Sequence, residues 1–374
     1  MRATRAVIRL GNFQHNIREL HRHMHSQRGG EAPQICVAVK ADGYGHGLLR
    51  CAEAALEAGA SSLGVAAVSE GAALRDAGIR EPILLFGIAR RGELEDLAEL
   101  RLSPFVADEA YIRLLDEAAA SAGVKLNVHL KVDTGMGRIG CRPEDAPHLA
   151  SQIHHTKRLR LAGTATHFPI ADEDDSRFTR DQIDLFLATV KRIREAGIDP
   201  GVVHAANSGA IIGYPDAWAD MVRPGIAVYG YFPSADQKRT LDLRPVMELV
   251  SEIVFVKRVA PDTPISYGCT YRTPQETVIA TIPAGYGDGF NRLLSSIGRV
   301  LIDGKSYPIV GRVCMDQFMV DIGAKPECGV GSIVTLFGPD PAGPNAEELA
   351  ELCTTIPYEV LTSITARVPR IYLE

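Results

Sequence analysis

The chain has no paired cysteines, no excess of positive charge and no long apolar run. Its seven cysteines are odd in number and scattered singly, without a Cys-x-x-Cys pair. That spacing excludes a zinc ribbon or a disulfide framework and implies reduced thiols in a cytosolic setting. The 40 Lys and Arg residues are outnumbered by 46 Asp and Glu, giving a formal net charge of −6 and no basic footprint for nucleic acid. The opening stretch, Met1-Arg-Ala-Thr-Arg-Ala-Val-Ile-Arg9, lacks the apolar core of a signal peptide, and no later stretch is long enough to span a bilayer. Internal repeats and low-complexity tracts are missing too. The expectation is a cytoplasmic protein that engages neither nucleic acid nor membrane.

At 374 residues the chain has room for two domains. Residues 4–10 read as a strand and 12–23 as an amphipathic helix. From about 34 to 235, short apolar strands (35–39, 62–66, 83–86, 103–106, 126–132, 161–166, 202–205 and 220–223) alternate with helical stretches (52–58, 69–77, 93–100, 109–119 and 178–195). Eight such strands imply an N-terminal (β/α)8, TIM-like barrel in preference to an open doubly wound sheet. After about residue 240 the texture changes to β-like runs at 246–259, 277–283, 297–302, 307–310, 313–320 and 332–337, with one helical piece at 345–352. This predicts a C-terminal mostly-β domain. The expected division is 1–237 for the barrel and 238–374 for the β domain, with residues 1–10 a strand free to pack on the second.

In such a barrel, chemistry gathers where the strands end. The first predicted strand ends at Lys40, followed by Ala-Asp-Gly-Tyr44-Gly-His-Gly, whose glycines permit a tight turn. A lone lysine there is most often a solvated cap. Here the other strand ends carry Lys131, His167, Asn207-Ser208-Gly209 and Arg223-Pro-Gly225-Ile226, more polar groups than a plain rim needs. Barrels often hold a phosphate after strands seven and eight, where Ser208 and Gly225 lie. A partly desolvated amine opposite a phosphate cradle fits pyridoxal 5'-phosphate, which needs a lysine to carry it, a phosphate site and a partner for its ring nitrogen. Arg223 suits the last role. A guanidinium cannot accept a proton, so the ring nitrogen stays unprotonated and the cofactor becomes a weakened electron sink, suited to one proton removal and return.

Assembled in order, the motifs resemble the alanine racemase family over nearly the whole chain. They are Ala38-Val-Lys40-Ala-Asp-Gly-Tyr44-Gly-His-Gly, Leu130-Lys131-Val-Asp-Thr-Gly-Met-Gly-Arg138, Thr166-His167-Phe, His204-Ala-Ala-Asn207-Ser208, and Arg223-Pro-Gly225-Ile226-Ala-Val-Tyr-Gly. The second half adds Ser266-Tyr267-Gly, Gly285-Tyr286-Gly-Asp-Gly289, Gly311-Arg312-Val-Cys-Met315-Asp316-Gln and Pro357-Tyr358-Glu. The resemblance implies a pyridoxal 5'-phosphate enzyme, a homodimer with composite sites, that interconverts L- and D-alanine and supplies D-alanine for peptidoglycan. It implies that Lys40 carries the cofactor, that Tyr44, Ser208, Gly225, Ile226 and Tyr358 hold its phosphate with Asn207 alongside, and that Arg223, held by His204, faces the ring nitrogen. Arg138 would bind the substrate carboxylate. Met315, Tyr286 and Asp316 would line the pocket from the other subunit. Lys131 stands where the family often carries a carbamylated lysine; a carbamate would turn this cation into an anion and hold Arg138.

Racemisation needs a base on each face of the substrate. By the resemblance these are Lys40 and the partner subunit's Tyr267, with His167 the neighbour that lowers the phenol from its ordinary pKa of about 10. Arg292, Arg312 and Ile356 match residues that narrow the family's substrate channel, so a small substrate is expected. Pro169, Gly287 and Cys269 depart from the commonest pattern without removing a catalytic group. Two other enzyme or binding readings stay open: a racemase of the same fold for serine or basic amino acids, and a non-catalytic carrier of the cofactor. The histidines at 21, 23 and 25 and the acidic run 172–175 read as solvated surfaces, not metal sites.

Overall fold

The computed structural model of the chain describes residues 2–173 and 175–374; Met1 and Asp174, the latter in the acidic run, lie outside the described residues. Strand β1 (Arg5–Arg9) buries every second side chain, Ala6 and Ile8, and runs directly into the helix Leu10–Arg28. That helix buries Phe13, Ile17, Leu20 and Met24, spaced by three and four residues, along one stripe. It stops at Gly29, whose φ of 65° is left-handed and whose N–H donates to the His25 carbonyl.

Eight parallel strands follow: β2 (Gln34–Ala38), β3 (Ser62–Val65), β4 (Ile83–Leu85), β5 (Ser103–Val106), β6 (Leu126–Lys131), β7 (Leu159–Ala165), β8 (Val202–His204) and β9 (Met221–Val222). They close into a barrel through Gln34 opposite Met221 and Ile35 opposite Val222. Helices such as Leu48–Glu57, Val68–Asp76, Glu109–Ser121 and Arg177–Glu195 lie between them. Strands covered on both faces are free to be apolar at every position, as Ile83-Leu-Leu85 is. The expected (β/α)8 barrel is therefore found.

The second half forms a nine-stranded sheet in the order Phe255–Val259, Thr277–Ile282, Phe318–Asp321, Lys305–Val310, Arg299–Ile302, Ile333–Phe337, Met247–Glu252, β1 and Arg370–Leu373. This matches the expected mostly-β second part. Strand β1 sits inside that sheet, antiparallel to Met247–Glu252 and parallel to Arg370–Leu373. Asn16 ties the first helix to the same region: its amide donates to the carbonyls of Val228 and Arg244, and its oxygen accepts from Arg244 N–H.

Local differences from the sequence reading have physical causes. The run 246–259 is two strands, because Met247–Glu252 pairs with Ile333–Phe337 while Phe255–Val259 turns to pair with Thr277–Ile282. In 313–320 only Phe318–Asp321 is strand; the preceding residues turn, with Cys314 N–H donating to Gln317 O at 2.9 Å. The helices Ala146–His155 and Pro357–Thr362 were not anticipated, although each has a proline in its first turn. Among the described residues, no helix is long and apolar enough to cross a membrane.

Ile8 is fully buried in the sheet it shares with both ends of the chain. Ile8→Ala is expected to destabilise the fold by about 2–5 kcal/mol, read as a lower urea midpoint with an unchanged slope.

Candidate active site

Lys40 follows β2 and begins a single turn of unusual hand. Ala41, Asp42, Gly43 and Tyr44 all have φ between 52° and 60°. Only glycine adopts that region cheaply, and each other residue costs about 1–2 kcal/mol. Side chains elsewhere hold the turn: Asp42 accepts from Leu48 N–H at 2.8 Å and Glu70 accepts from Ala41 N–H at 2.7 Å. Glu70 also accepts from the N–H groups of Ala66 and Ala67 after β3, joining the two strand ends. The result presents the Lys40 amine to a cavity of about 430 Å3 and stacks the Tyr44 ring on Tyr229, with centroids 4.6 Å apart.

The same cavity is lined by Tyr44, Lys131, Arg138, His167, Asn207, Ser208, Arg223, Gly225 and Tyr358. Ser208 begins the short helix Ser208–Gly213, capped by Asn207, whose oxygen accepts from Ala210 N–H. The Ser208 hydroxyl oxygen accepts from Gly225 N–H at 2.9 Å and Ala227 N–H at 3.3 Å, binding the loops after β8 and β9 together. Ile226 is buried directly behind this loop. Arg138 arrives on a loop after β6 shaped by Asp133, which accepts from Gly135 and Gly137 N–H. That loop spells Gly135-Met-Gly-Arg-Ile-Gly140, a dinucleotide-type pattern, but the next helix starts only at Ala146, so it is not such a site.

Arg223 follows β9 and is buried, and its partners come from two neighbouring segments, the ends of β7 and β8. It donates to Thr166 O at 2.6 Å, Ala205 O at 3.0 Å and His204 Nδ1 at 2.7 Å, with His167 Nδ1 at 3.4 Å. Burial lowers its pKa to about 10, leaving it cationic near neutrality. Burial first, and the Arg223 charge second, bring Lys131 down to about 7 and drive His167 and His204 well below the ordinary imidazole range. Lys40 is lowered by burial and then by Arg138. No carboxylate lines the cavity among the described residues.

Four residues named from the sequence are not brought to this cavity within one chain. Tyr267 is 74 % exposed and Met315 53 %, while Asp316 pairs with Arg367 at 2.6 Å. Tyr286 lines a separate cavity of about 330 Å3. Sequence reasoning missed Glu70 and His129; the second bonds His204 and shares with Lys131 the inward face of β6, an alternation the sequence does carry. Among the described residues no group of His, Cys, Asp or Glu is arranged to hold a metal, and His23 instead lies edge-on to Trp218.

Residues 8–233 match the alanine racemase N-terminal domain and residues 246–372 the alanine racemase C-terminal domain. The chain belongs to the alanine racemase family. It is 45 % identical over 381 aligned positions to the alanine racemase of Treponema denticola, covering 100 % of this chain and 99 % of that protein. The crystal structure of alanine racemase from the D-cycloserine-producing Streptomyces lavendulae superposes with a TM-score of 0.94 at 36 % identity, covering 100 % of this chain and 98 % of that one. The Clostridium difficile 630 alanine racemase gives 0.94 at 38 %, covering 100 % and 96 %. As an alanine racemase enzyme, the protein interconverts L- and D-alanine, and the motifs around Lys40, Arg138, His167, Ser208, Arg223 and Tyr358 are among the segments that build the cavity.

Lys131 provides a pH test. A buried amine whose folded pKa lies below its unfolded value subtracts stability while both states are protonated, and the penalty fades as pH rises from about 7 toward about 10. Lys131→Met is therefore expected to stabilise the fold, by on the order of 4 kcal/mol below neutrality and progressively less in alkali. Urea unfolding at several pH values in carbon-dioxide-free buffer reads this directly. A gain that does not change with pH would count against it.

Proposed function

We propose that the protein is a pyridoxal 5'-phosphate-dependent alanine racemase whose two sites are each completed by the other subunit of a homodimer. The observation that carries the reading is the cavity: Lys40, Lys131, Arg138 and Arg223 converge on it with the hydroxyls of Tyr44, Ser208 and Tyr358, and no carboxylate opposes them among the described residues. Such a site favours a ligand bearing a phosphate and a carboxylate.

The residues present fit the cofactor. The Ser208 oxygen already accepts two N–H bonds, so its hydrogen is free for a phosphate. At Gly225 an added Cβ would lie 2.5 Å from the Tyr44 hydroxyl, so the missing side chain leaves a cradle there. Burial raises the pKa of Tyr44 and Tyr358, keeping both hydroxyls as donors. When bound, the cofactor supplies stabilisation of negative charge at the substrate Cα.

In this reading Lys40 carries the cofactor, and its amine moves the α-proton on the D-face. Arg138 orients the substrate carboxylate. Arg223, held by His204 and adjoining His167, donates toward the ring nitrogen and has no proton to accept. Tyr44 and Tyr358 are too strongly protonated to act as the second base. The partner subunit's Tyr267 fills that role, and the partner's Tyr286, Met315 and Asp316 close the pocket. Exposure of Tyr267, Met315, Leu293, Ile297 and Ile356 on the single chain supports a covering subunit. Residues 1–237 thus form the cofactor-bearing barrel, to which Tyr358 of the same chain is added, and the rest of 238–374 is the part offered to the partner. Lys131, its pKa lowered to about 7, is neutral in a substantial fraction near neutrality and so can react with carbon dioxide, and the resulting carbamate would pair with Arg138. Seven free thiols fit a reducing cytoplasm, where D-alanine for peptidoglycan would be made.

Proton NMR of L-alanine in heavy water, with chiral chromatography, tests the activity. Loss of the α-proton signal and appearance of D-alanine are expected, with little response from L-serine or L-lysine. Tyr267→Phe should keep the cofactor absorbance and lose about 10²-fold or more in kcat. Mixing Tyr267→Phe with Lys40→Ala should restore activity, because each hybrid dimer then has one intact site. If mixing restores nothing, the composite site is wrong. A ¹³C carbamate resonance after incubation with labelled carbon dioxide, absent in Lys131→Met, would establish the modification.

A further inference from the structure

We infer that His129 is a positioning residue: it accepts a hydrogen bond from His204 Nε2–H and thereby holds Arg223 in one orientation at the barrel mouth. The β6–β7 register slips between Val128 and His129, so that Val128 faces Leu161 but His129 faces Gly163. Such a bulge re-aims a side chain. Gly163 makes the room, since a Cβ there would overlap His129 Nδ1. The ring then lies with Nδ1 2.9 Å from His204 Nε2, while His204 Nδ1 lies 2.7 Å from Arg223 Nη1. Phe105 packs against both imidazoles, at 6.0 Å from His204 and 6.3 Å from His129.

The proton positions follow from Arg223. A guanidinium only donates, so His204 Nδ1 accepts through its lone pair. A neutral His204 must then carry its hydrogen on Nε2 and donate it to His129 Nδ1. His129 in turn carries its own hydrogen on Nε2. Protonating His204 would set two hydrogens against each other at the Arg223 contact, and protonating His129 would do so at the His204 contact. Burial, followed by the Arg223 charge, depresses both rings, His129 to about 3, in keeping with a relay that stays neutral. Without an acceptor at His129, the buried Nε2–H of His204 would be orphaned. The ring would then lose the anchor that keeps its Nδ1 lone pair aimed at the guanidinium. Only the last step, that Arg223 faces the cofactor ring, rests on the proposed function.

Solid-state ¹⁵N spectra of the cofactor-loaded protein with labelled histidine rings test this, with His204 assigned by comparison with His204→Gln. The wild type is expected to show the Nε2–H tautomer. His129→Leu should leave the hydrogen on Nε2 but shift the His204 Nε2 resonance, because its hydrogen-bond acceptor is gone. It should also weaken retention of pyridoxal 5'-phosphate in equilibrium dialysis by roughly tenfold and lower kcat similarly with KM for alanine unchanged. His129→Asn, whose Oδ1 replaces Nδ1 as acceptor, should restore all of these. An Nδ1–H tautomer in the wild type, or an unaltered His204 Nε2 resonance in His129→Leu, overturns the relay. A His204 Nε2 resonance that shifts as expected while cofactor retention and kcat hold supports the relay and refutes the placement of Arg223 against the cofactor. If His129→Leu does not fold, the wild-type tautomer and the His129→Asn behaviour decide.

Discussion

A guanidinium buried at the mouth of the barrel sets the terms for everything around it. Removing a cation from water costs several kcal/mol unless its donors are met. Arg223 meets them with carbonyls from the ends of β7 and β8 and an imidazole from β8. Those acceptors meet Arg223 because β9 lies beside β8 and β8 beside β7, so burial of the charge depends on those strand pairings. The field of Arg223 then adds to desolvation in lowering Lys131 and the three nearby histidines. Basic groups held this close in one chain repel. An anionic ligand relieves that repulsion, and its binding free energy is in part the return of this strain.

A second cost sits at Lys40. Three non-glycine residues in a left-handed turn forfeit a few kcal/mol between them. Glu70 offsets part of this by taking N–H groups from Ala41, Ala66 and Ala67, so one carboxylate braces the ends of two strands. An extended continuation of β2 would carry Lys40 past the cavity. The turn instead fixes the amine and the Tyr44 ring relative to each other within five residues, which a flexible loop would not do.

Much of this was legible in the sequence because its carriers are local. Barrel strands buried on both faces read as apolar runs, and the residues at their ends read as a rim. Contiguous motifs placed Lys40, Arg138, Ser208 and Arg223, and all four do meet. The unread parts depend on pairings far apart in the chain. Arg370–Leu373 is four residues long and is a strand because β1 lies beside it, more than 360 residues away. Glu70 looks like an ordinary first-turn helical acid, and its bond to Ala41 appears only when β3 lies beside β2. His129 could be placed on the face of Lys131 by alternation, but the bulge that aims it at His204 leaves no mark in its own strand. The misread stretch 313–317 alternates like a strand, yet it turns to meet Gly285–Gly289 through Tyr286 N–H and Cys314 O.

The region around Tyr267 is both strained and exposed within the single chain. Ser266 has a φ of 65° and Cys269 of 49°, so a non-glycine backbone is held left-handed on either side of an exposed tyrosine. The Ser266 hydroxyl is fixed on Arg312 O at 2.7 Å, and Gly311, at φ 72°, leaves room for the Ser266 side chain, which a Cβ would approach at 2.8 Å. Strained backbone of this kind persists where surrounding structure over-determines it, and it gathers at functional sites. Within one chain the strain orders a phenol that packs against nothing enclosing. A side chain with so few contacts would ordinarily be left to move. In the proposed homodimer that phenol would enter the cavity of the second copy, which is rich in donors and cations and has no carboxylate among the described residues. On that proposal the strain at 266–269 would serve an association, not the fold, and the association would complete the chemistry.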